Sequence, residues 1–532
     1  MLGRYLQPVH SNSSMDANKK SICVVDIGTT SLRCIIYNQK FEILSTASRE
    51  IVVLYPVHGH VEIEPEKLFR DIINVIGEAV VTANLDFSDI VLGISTQRAT
   101  FTTWSKSTGK VFHNLITWQD IRADDIVRSW NESWTMKALN VIAGVVYSVT
   151  RLPRLLAGSV LKLMNNQVTP RLLWFLENNE KLREAVNRDD ALIGTLDSYL
   201  LFRLRSGKAL NKVEHISDIT NCSATGLYDP FTLNWAGWSS MLFKKKMPIL
   251  PKVVDNSYDY GVVHKSFFKQ PVKIVGVMGD QPASLFGNCC FKKGTAKCTL
   301  GTGTFLDINT ASKCHASICG FYPLVSWILR DQSVCFSVEG SSSDTGTIIN
   351  WGKSIGLFSD PAETSSMAES ISSSMGVFFI PAFSGLQAPM NDFRAASGFI
   401  GISASTTKSC LVRAMLESIV FRVVQLLKAS TKETDYKIEL LRVDGGVSKN
   451  NFICQTLADL CQITVERSKD TENTSLGVAY VCAYNLKLAT IDELSKCYTS
   501  GKIFYPRKEK YETVLALEKR WEDALERFKA WY

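Results

Sequence analysis

Three short turns rich in glycine and hydroxyl residues each follow an apolar run of the sequence. They are DIGTTS at 26–31, GTGT at 301–304 and DGG at 444–446. Glycine lets the backbone approach a ligand closely, and consecutive backbone N–H groups with Thr and Ser hydroxyls can cradle a phosphate. Arg33 lies two residues beyond the first turn, within reach of the same phosphate. The turn residues that we assign to a nucleotide site are Thr29, Thr30, Ser31, Gly301, Thr302, Gly303, Gly445 and Gly446.

One such turn is a weak signal, because β-hairpins commonly use glycine to reverse the chain. The sequence contains neither G-x-x-x-x-G-K-[ST] nor a G-x-G-x-x-G between a strand and a helix. Three turns after apolar runs, two of them similar, favour a nucleotide site over three unrelated structural turns.

Two aspartates suit phosphoryl transfer. Asp26 ends an apolar run beside the first turn, where a carboxylate would serve Mg²⁺ directly or through water. Asp280 follows the uncharged run VGVMG and suits a general base that accepts a proton from a substrate hydroxyl. The alternative for Asp280 is a helix N-cap, and Asp444 could equally form its turn.

Arg98 and Trp118 would supply a hydroxyl-binding donor and an apolar wall, although each alone is more often ordinary core or surface.

The elements that must position these residues follow a repeated pattern. Apolar runs at 22–25 and 32–37 predict a β-hairpin around the first turn, and runs at 295–300 and 305–309 predict a second around GTGT. Segments 272–287 and 440–461 each indicate a strand, a Gly turn and a helix. We also predict a helix at 64–83, a buried strand at 89–95 and an amphipathic helix at 511–532 that packs on the body. Two similar hairpins half a chain apart indicate two related domains that face one ligand.

Composition narrows the class of protein. The chain is 45% hydrophobic and 21% charged, which is typical of a soluble globular protein, and its length of 532 residues predicts two to four domains. A net charge of +7 is too small to indicate nucleic-acid binding. No signal-peptide core or apolar stretch of about 18 residues occurs, so we expect no membrane span. The 14 scattered cysteines indicate reduced thiols and a cytoplasmic protein.

The chain resembles the FGGY carbohydrate kinases, and within them a divergent animal branch of the glycerol kinases. The resemblance runs from about residue 22 to about residue 487. It rests on many segments in order, namely VVDIGTTSLR, GISTQR, TGKVFHNLITWQD, GTLDSYLLFRL, DITNCSATGLYD, GDQPASLFG, GTAKCTLGTG, IPAFSGLQAP, RAMLESI, VDGGVSKNNF and TSLGVAY.

This resemblance implies two actin-like (ribonuclease H-like) α/β domains that flank a central cleft for ATP and substrate. We expect a disordered N-terminus at 1–20, an N-terminal kinase domain at 21–287 for polyol and phosphate, and a C-terminal kinase domain at 288–532 for the nucleotide. The resemblance assigns Asp280 as general base and Asp26 to the metal. Arg98, Gln281, Trp118 and Phe305 would bind the substrate with Asp280. Thr30 and Arg33 would meet the β- and γ-phosphates opposite Thr302 and Gly303, with Gly346, Gly446 and Asn450 along the nucleotide.

The sequence departs from the glycerol kinases at the polyol contacts. Ala99 stands where the family has a Glu that accepts a hydrogen bond from glycerol, and Asn166 stands near the place of its substrate Tyr. The family's W-D-x-x-A-R-G becomes NDFRAASG at 391–398, and Cys410 replaces a His-like position. The phosphate turns and Asp280 are intact. The nucleotide machinery therefore looks complete, while the glycerol contacts are thinned.

The resemblance implies phosphorylation of glycerol to glycerol 3-phosphate by ATP and Mg²⁺. Two alternatives stay open, a kinase of another small polyol or ketose and a catalytically weak ATP-binding regulatory protein. We expect a small polyol and Mg-ATP as the partners, without nucleic acid, and we leave a homo-oligomer open.

Overall fold

A computed structural model describes residues 20–207, 210, 213–434, 436–469 and 472–532. The expected disordered segment 1–20 lies outside the described residues except for Lys20. No helix in the described part of the chain is long and apolar enough to cross a membrane.

The N-terminal half contains fifteen strands and eleven α-helices in its described residues. The strands are β1 (Ser21–Ile27), β2 (Ser31–Tyr37), β3 (Ile43–Glu50), β4 (Val53–Leu54), β5 (Glu62–Ile63), β6 (Ile90–Thr96), β7 (Phe101–Ser105), β8 (Leu115–Ile116), β9 (Ala191–Thr195), β10 (Ile216–Asp218), β11 (Tyr228–Asp229), β12 (Asn234–Trp235), β13 (Lys252–Val254), β14 (Val262–Val263) and β15 (Val272–Gly279). The helices are α1 (Pro65–Thr82), α2 (Asp124–Glu132), α3 (Trp134–Thr150), α4 (Pro153–Ser159), α5 (Val168–Asn178), α6 (Glu180–Asn187), α7 (Leu196–Ser206), α8 (Ile219–Ser223), α9 (Trp238–Phe243), α10 (Lys265–Phe268) and α11 (Asp280–Gly287).

The C-terminal half has the remaining elements. Its strands are β16 (Ala296–Leu300), β17 (Thr304–Ala311), β18 (Tyr322–Trp327), β19 (Cys335–Ser342), β20 (Phe378–Ile380), β21 (Gly398–Ile400), β22 (Leu440–Asp444), β23 (Thr464–Ser468) and β24 (Ser500–Phe504). Its helices are α12 (Gly346–Ser354), α13 (Glu363–Glu369), α14 (Lys408–Thr434), α15 (Asn451–Cys461), α16 (Asn473–Asn485), α17 (Ile491–Ser495) and α18 (Lys508–Leu525).

The two halves share one sheet topology. The first main sheet has the order β14-β15-β6-β1-β2-β3, and the second has the order β24-β23-β22-β16-β17-β19-β18. Strand β1 runs parallel to its neighbour β6 in the first sheet, and β16 runs parallel to its neighbour β22 in the second, while the two strands of each hairpin are antiparallel. The hairpin β1–β2 therefore corresponds to β16–β17, which confirms the predicted repeat and the two-domain α/β fold.

The two halves pack through an exchanged pair of helices. Helix α11 follows β15 of the first sheet and also packs on β16, β17 and β18 of the second, whereas α16 follows β23 and packs on β1, β6 and β15. The two helices cross each other with their backbones in contact, because a Cβ added at Gly477 would lie 1.8 Å from the carbonyl oxygen of Ala283. Apolar side chains from both halves share one buried cluster around this crossing, including Val24, Phe286 and Val478.

A smaller sheet and a helical region extend the N-terminal half. The sheet has the order β4-β5-β8-β7-β9, and its strands β7 and β8 lie next in sequence to Arg98 and Trp118. Helix α1 begins where the sequence predicts, since the Glu64 carboxylate accepts the backbone N–H groups of Glu66 and Lys67. Arg98 therefore lies in the connection between β6 of the main sheet and β7 of the smaller sheet, and Trp118 lies just after β8.

Other elements agree with the sequence pattern in part. Helix α18 ends at Leu525, earlier than predicted, and its apolar face packs on the body, with Trp521 and Leu525 fully buried. The Trp521 indole N–H donates to the carbonyl oxygen of Phe379 at 2.7 Å. All 14 cysteines are unpaired thiols, ten of them buried.

Candidate active site

The first phosphate turn joins β1 to β2 and is held by bonds on both sides. The Gly28 N–H donates to the carbonyl oxygen of Ser31 at 3.0 Å, and the Gln97 amide donates to the Gly28 carbonyl oxygen at 2.9 Å. The Trp118 indole N–H donates to the hydroxyl of Thr29 at 3.1 Å. Thr30 is exposed at the tip of the turn. The turn is therefore rigid at its base and open at its tip, as a phosphate cradle requires.

The second and third turns meet. The Gly346 N–H, at the start of α12, donates to the carbonyl oxygens of Gly301 and Thr302 at 3.0 and 2.9 Å. Gly445 has a φ of 84°, and a Cβ there would lie 2.6 Å from the Leu300 carbonyl oxygen, so only glycine fits. Gly446 faces open space, with nothing within 4 Å of an added Cβ. The predicted nucleotide residues of the C-terminal half thus lie in one place.

Asn450 lies near these turns with its side chain already engaged. Its carboxamide oxygen accepts the Ile453 N–H at 3.1 Å and caps α15, and its amide donates to Thr364 at 2.9 Å. These bonds explain the residue structurally, and its contact with a nucleotide stays a prediction.

Asp26 lies at the end of β1, opposite Arg33 in the hairpin register. Burial raises the pKa of Asp26 to about 7; the nearby Ser95 hydroxyl opposes the rise, whereas the Asp280 carboxylate adds to it. One carboxylate oxygen of Asp26 is buried without a hydrogen-bond partner. Arg33 donates a hydrogen bond to the carboxylate of Glu472, a residue of the C-terminal half. A carboxylate with an unused buried oxygen fits a divalent cation, although no cluster of three or more His, Cys, Asp or Glu side chains among the described residues could hold one alone.

Asp280 is the first residue of α11, and Gly279 rather than Asp280 occupies the N-cap. One oxygen of its carboxylate accepts the Arg98 Nε–H at 3.2 Å and the Gln281 backbone N–H at 2.8 Å. The Asp280 side chain is one-quarter exposed. The carboxylate is therefore fixed in position while still open to a ligand, which is the geometry that a general base needs.

Arg98 is buried and joins the two halves. Its Nη2 donates to Glu339 of β19 at 2.6 Å, while its Nε bonds to Asp280. Burial disfavours the charge of the guanidinium, but the carboxylates, with Glu339 acting most and Asp280 next, hold the pKa of Arg98 above its ordinary value. The Arg98 Nη1 is buried without a partner. That unused donor fits the predicted hydrogen bond to a substrate hydroxyl.

A second buried ion pair lies behind Gln281. The Lys297 ammonium of β16 pairs with Asp307 of β17 at 2.8 Å, and both side chains are almost fully buried. Lys297 also donates to the Gln281 carboxamide oxygen and to the Thr299 hydroxyl. Because the oxygen of Gln281 is occupied, its NH₂ group is the part left to face a ligand.

Two aromatic rings from different halves face each other beside this network. The rings of Trp118 and Phe305 meet edge to face, with centroids 6.1 Å apart. Trp118 is also bonded to the first phosphate turn, and Phe305 follows the second turn in sequence. These rings therefore connect the phosphate turns to the polar network, as expected for the walls of a small polyol pocket.

Sequence reasoning missed three residues of this network, Lys297, Asp307 and Glu339. Their signal was present, since each is the one charged residue of an otherwise uncharged strand. For Asp444, the sequence left open whether the residue serves the nucleotide site or only forms its turn. Asp444 ends β22, and its carboxylate accepts hydrogen bonds from the Ser284 hydroxyl at 2.6 Å and the Asn288 amide at 2.7 Å. It therefore ties β22 to α11 in addition to preceding a turn.

The chain is similar to known proteins in sequence and in fold. Residues 21–287 match the N-terminal domain of the FGGY family of carbohydrate kinases, and residues 296–486 match its C-terminal domain. A protein named glycerol kinase 5 from Danio rerio is 42% identical over 518 residues, which covers 96% of this chain and 97% of the relative. A glycerol kinase of Pseudothermotoga lettingae is 34% identical over 520 residues, which covers 96% and 99%.

A solved structure is also similar. The crystal structure of Plasmodium falciparum glycerol kinase with ADP has a TM-score of 0.82 at 27% identity, and the match covers 96% of this chain and 98% of that one. Two repeated α/β domains with glycine turns and a buried polar network between them define an ATP-dependent kinase of a small sugar or polyol. The chain belongs to the FGGY family of carbohydrate kinases.

Proposed function

We propose that this protein transfers the γ-phosphoryl group of ATP to glycerol and releases ADP and sn-glycerol 3-phosphate. The observation that carries the proposal is the place of Asp280, which is fixed by Arg98 beside Gln281 and close to Asp26. The glycerol kinases among the relatives support glycerol as the acceptor.

In the proposed reaction, Asp280 accepts the proton of the attacking hydroxyl as the new O–P bond forms and the bond between the γ-phosphorus and the bridging oxygen breaks. Arg98 and Gln281 orient the hydroxyl groups, and Trp118 and Phe305 contact the carbon chain. The three turns, with Arg33, Gly346 and Asn450, bind the nucleotide. The boundary between the two kinase domains would fall between residues 287 and 288.

Mg²⁺ is part of this proposal. The Asp26 carboxylate would hold it directly or through water, together with phosphate oxygens. The cation would neutralise charge that develops on the phosphate oxygens. The buried, unpartnered oxygen of Asp26 supports this assignment, and chelation of Mg²⁺ should abolish turnover.

We also place the protein in the cytoplasm. The 14 unpaired cysteines support a reducing compartment, because oxidising compartments favour disulfides.

The first experiment is to measure ADP release by the full chain with Mg-ATP. The acceptors are glycerol, dihydroxyacetone, several ketoses and none. We expect glycerol-dependent release that Asp280→Asn lowers by roughly 10²–10⁴-fold, the usual effect of losing a general base. ATP binding should survive in this variant. Asp259→Asn is the matched control, because Asp259 is an exposed carboxylate of the same half and should leave turnover unchanged.

Ala99 favours a second acceptor as the alternative, because the Glu that the resemblance to the glycerol kinases implies for glycerol binding is replaced by Ala99. ADP release with a ketose or another polyol, lost in Asp280→Asn, would change the substrate and keep the mechanism. Measurable ATP binding without release for any acceptor would instead identify a regulatory protein. Undiminished kcat in Asp280→Asn would contradict the proposed base.

A further inference from the structure

Helix α3 presents aliphatic side chains to solvent along one face. Val141, Ile142, Val145, Val146 and Val149 are between 40% and 81% exposed. They recur at the helical spacing i, i+1, i+4, i+5, i+8 and so form a continuous stripe. A surface helix of a globular protein usually turns such a stripe toward the core, so this arrangement calls for a partner.

The opposite face of α3 explains why the stripe points outward. Ala143 and Gly144 face Gly158 and Ser159 of α4, and Cβ atoms added at the two glycines would lie 3.3–3.5 Å from these neighbours. The two helices thus pack closely through small residues and form one unit, which we call the α3–α4 hairpin (134–159). Met136 anchors α3 in a cluster with Val127, Leu163 and other apolar residues. Small residues therefore join α3 to α4, Met136 anchors α3 to its neighbours, and the aliphatic stripe stays exposed.

The charged residues within the segment 133–166 all have one sign. Residues 133–166 contain four basic residues and no acidic residue. Arg154 pairs with Asp229. The Lys137 ammonium and the Arg151 guanidinium lie over the rings of Trp134 and Tyr147, at the two ends of α3.

The aromatic groups complete the pattern. Trp134 is 87% exposed, and Leu152, two residues beyond the end of α3, is exposed as well. Aliphatic side chains bordered by basic residues and an exposed Trp are typical of helices that lie in the surface of a bilayer.

We propose that the α3–α4 hairpin binds the surface of a bilayer that contains anionic lipids, with α3 lying in the membrane plane. The valines would enter the boundary between headgroups and acyl chains, while Lys137, Arg151 and Lys162 would meet lipid phosphates and carboxylates. The cytoplasmic leaflet carries such a negative surface. This inference concerns where the protein acts and does not depend on the proposed acceptor.

A second copy of the chain fits this face less well. In a twofold interface the same surface meets itself, so the basic residues of two hairpins would approach each other without an acidic residue of 133–166 to neutralise them. An anionic bilayer supplies both the apolar layer and the opposite charge.

Vesicle flotation with the full chain tests the proposal. The vesicles are phosphatidylcholine alone and phosphatidylcholine with about 30% phosphatidylserine, since anionic headgroups should attract the basic residues. We expect the protein to float with the anionic vesicles, and added salt should weaken binding. Val145→Asp/Val149→Asp should reduce the bound fraction at least about tenfold, because two carboxylates would enter the apolar layer.

The matched control is Val57→Asp/Val81→Asp, which places two carboxylates at exposed valines outside the hairpin. Both double variants should keep the melting temperature and turnover of the parent protein, so a loss of flotation would not reflect unfolding. Equal flotation of the hairpin variant and the parent would overturn the proposal, as would failure of the parent to float with anionic vesicles. A dimer that the hairpin variant dissociates would assign the face to self-association instead.

Discussion

Ala99 directly follows Arg98 and is buried, with its backbone firmly held. Its φ is 58°, in the left-handed region, and its carbonyl oxygen accepts an Arg171 N–H at 2.8 Å. Arg171 also binds the carbonyl oxygen of Asn166, so the two positions that depart from the glycerol kinases share one buried guanidinium. A larger side chain at position 99 would therefore project from a backbone that these hydrogen bonds hold in place.

We predict that Ala99→Glu lowers the KM for glycerol. A restored hydrogen bond is worth about 0.5–1.5 kcal/mol, or about 2–12-fold in KM. Steady-state kinetics against glycerol measures the change. Ala99→Met is the matched control, since it has similar length and the same backbone strain but no strong acceptor, and it should give no gain. An unchanged or raised KM in the Glu variant would count against our reading of the pocket.

Whether a site residue could be predicted depended on how far apart in the sequence it and its partners lie. Asp280 and the glycine turns could be found because strand, turn and helix are neighbours in sequence. Lys297, Asp307 and Glu339 could not be assigned, because each owes its role to partners from distant elements. Glu339 is the clearest case, since it meets Arg98 across 241 positions of the chain. The sequence pattern showed one charged residue in an otherwise uncharged strand, but not which opposite charge would neutralise it.

At the scale of elements, the crossing of α11 and α16 joins the two domains. The repeated hairpins predicted two related domains, but the exchange of these helices between the sheets had no sequence signal of its own. The glycines at the crossing, Gly287 and Gly477, become informative only once both helices are placed, because each approaches the other helix's backbone.

We predict that Gly477→Ala destabilises the protein by about 2–3 kcal/mol or more, because overpacking a close backbone contact forces both helices to shift. Thermal unfolding and turnover should both report the change, since the crossing sets how the domains meet. Gly77→Ala in α1 is the matched control. Nothing lies within 4 Å of its added Cβ, so this variant should be neutral or up to about 1 kcal/mol more stable. Equal melting temperatures for the two variants would show that α16 can move away without cost.

At the scale of the whole molecule, the substrate site belongs to neither half alone. Arg98, Asp280 and Trp118 come from the first half, and Glu339, Lys297 and Phe305 come from the second. The Arg98–Glu339 bond and the facing rings cross the boundary directly. Assembly of the site and association of the domains are therefore one event.

We predict that Glu339→Gln weakens both the stability and the activity of the protein. Glu339 is the buried carboxylate that joins Arg98 to the second half, and a charge-assisted hydrogen bond of this kind is worth about 1.5–3 kcal/mol. The midpoint of urea unfolding should fall, and kcat/KM for the acceptor should fall about tenfold or more, since about 1.4 kcal/mol corresponds to tenfold. Glu439→Gln is the matched control, because it removes a carboxylate of the same half from an exposed ion pair with Lys437. If Glu339→Gln kept the parent's urea midpoint and kcat/KM, Asp280 alone would suffice to hold Arg98, and the site would not be shared between the halves through this bond.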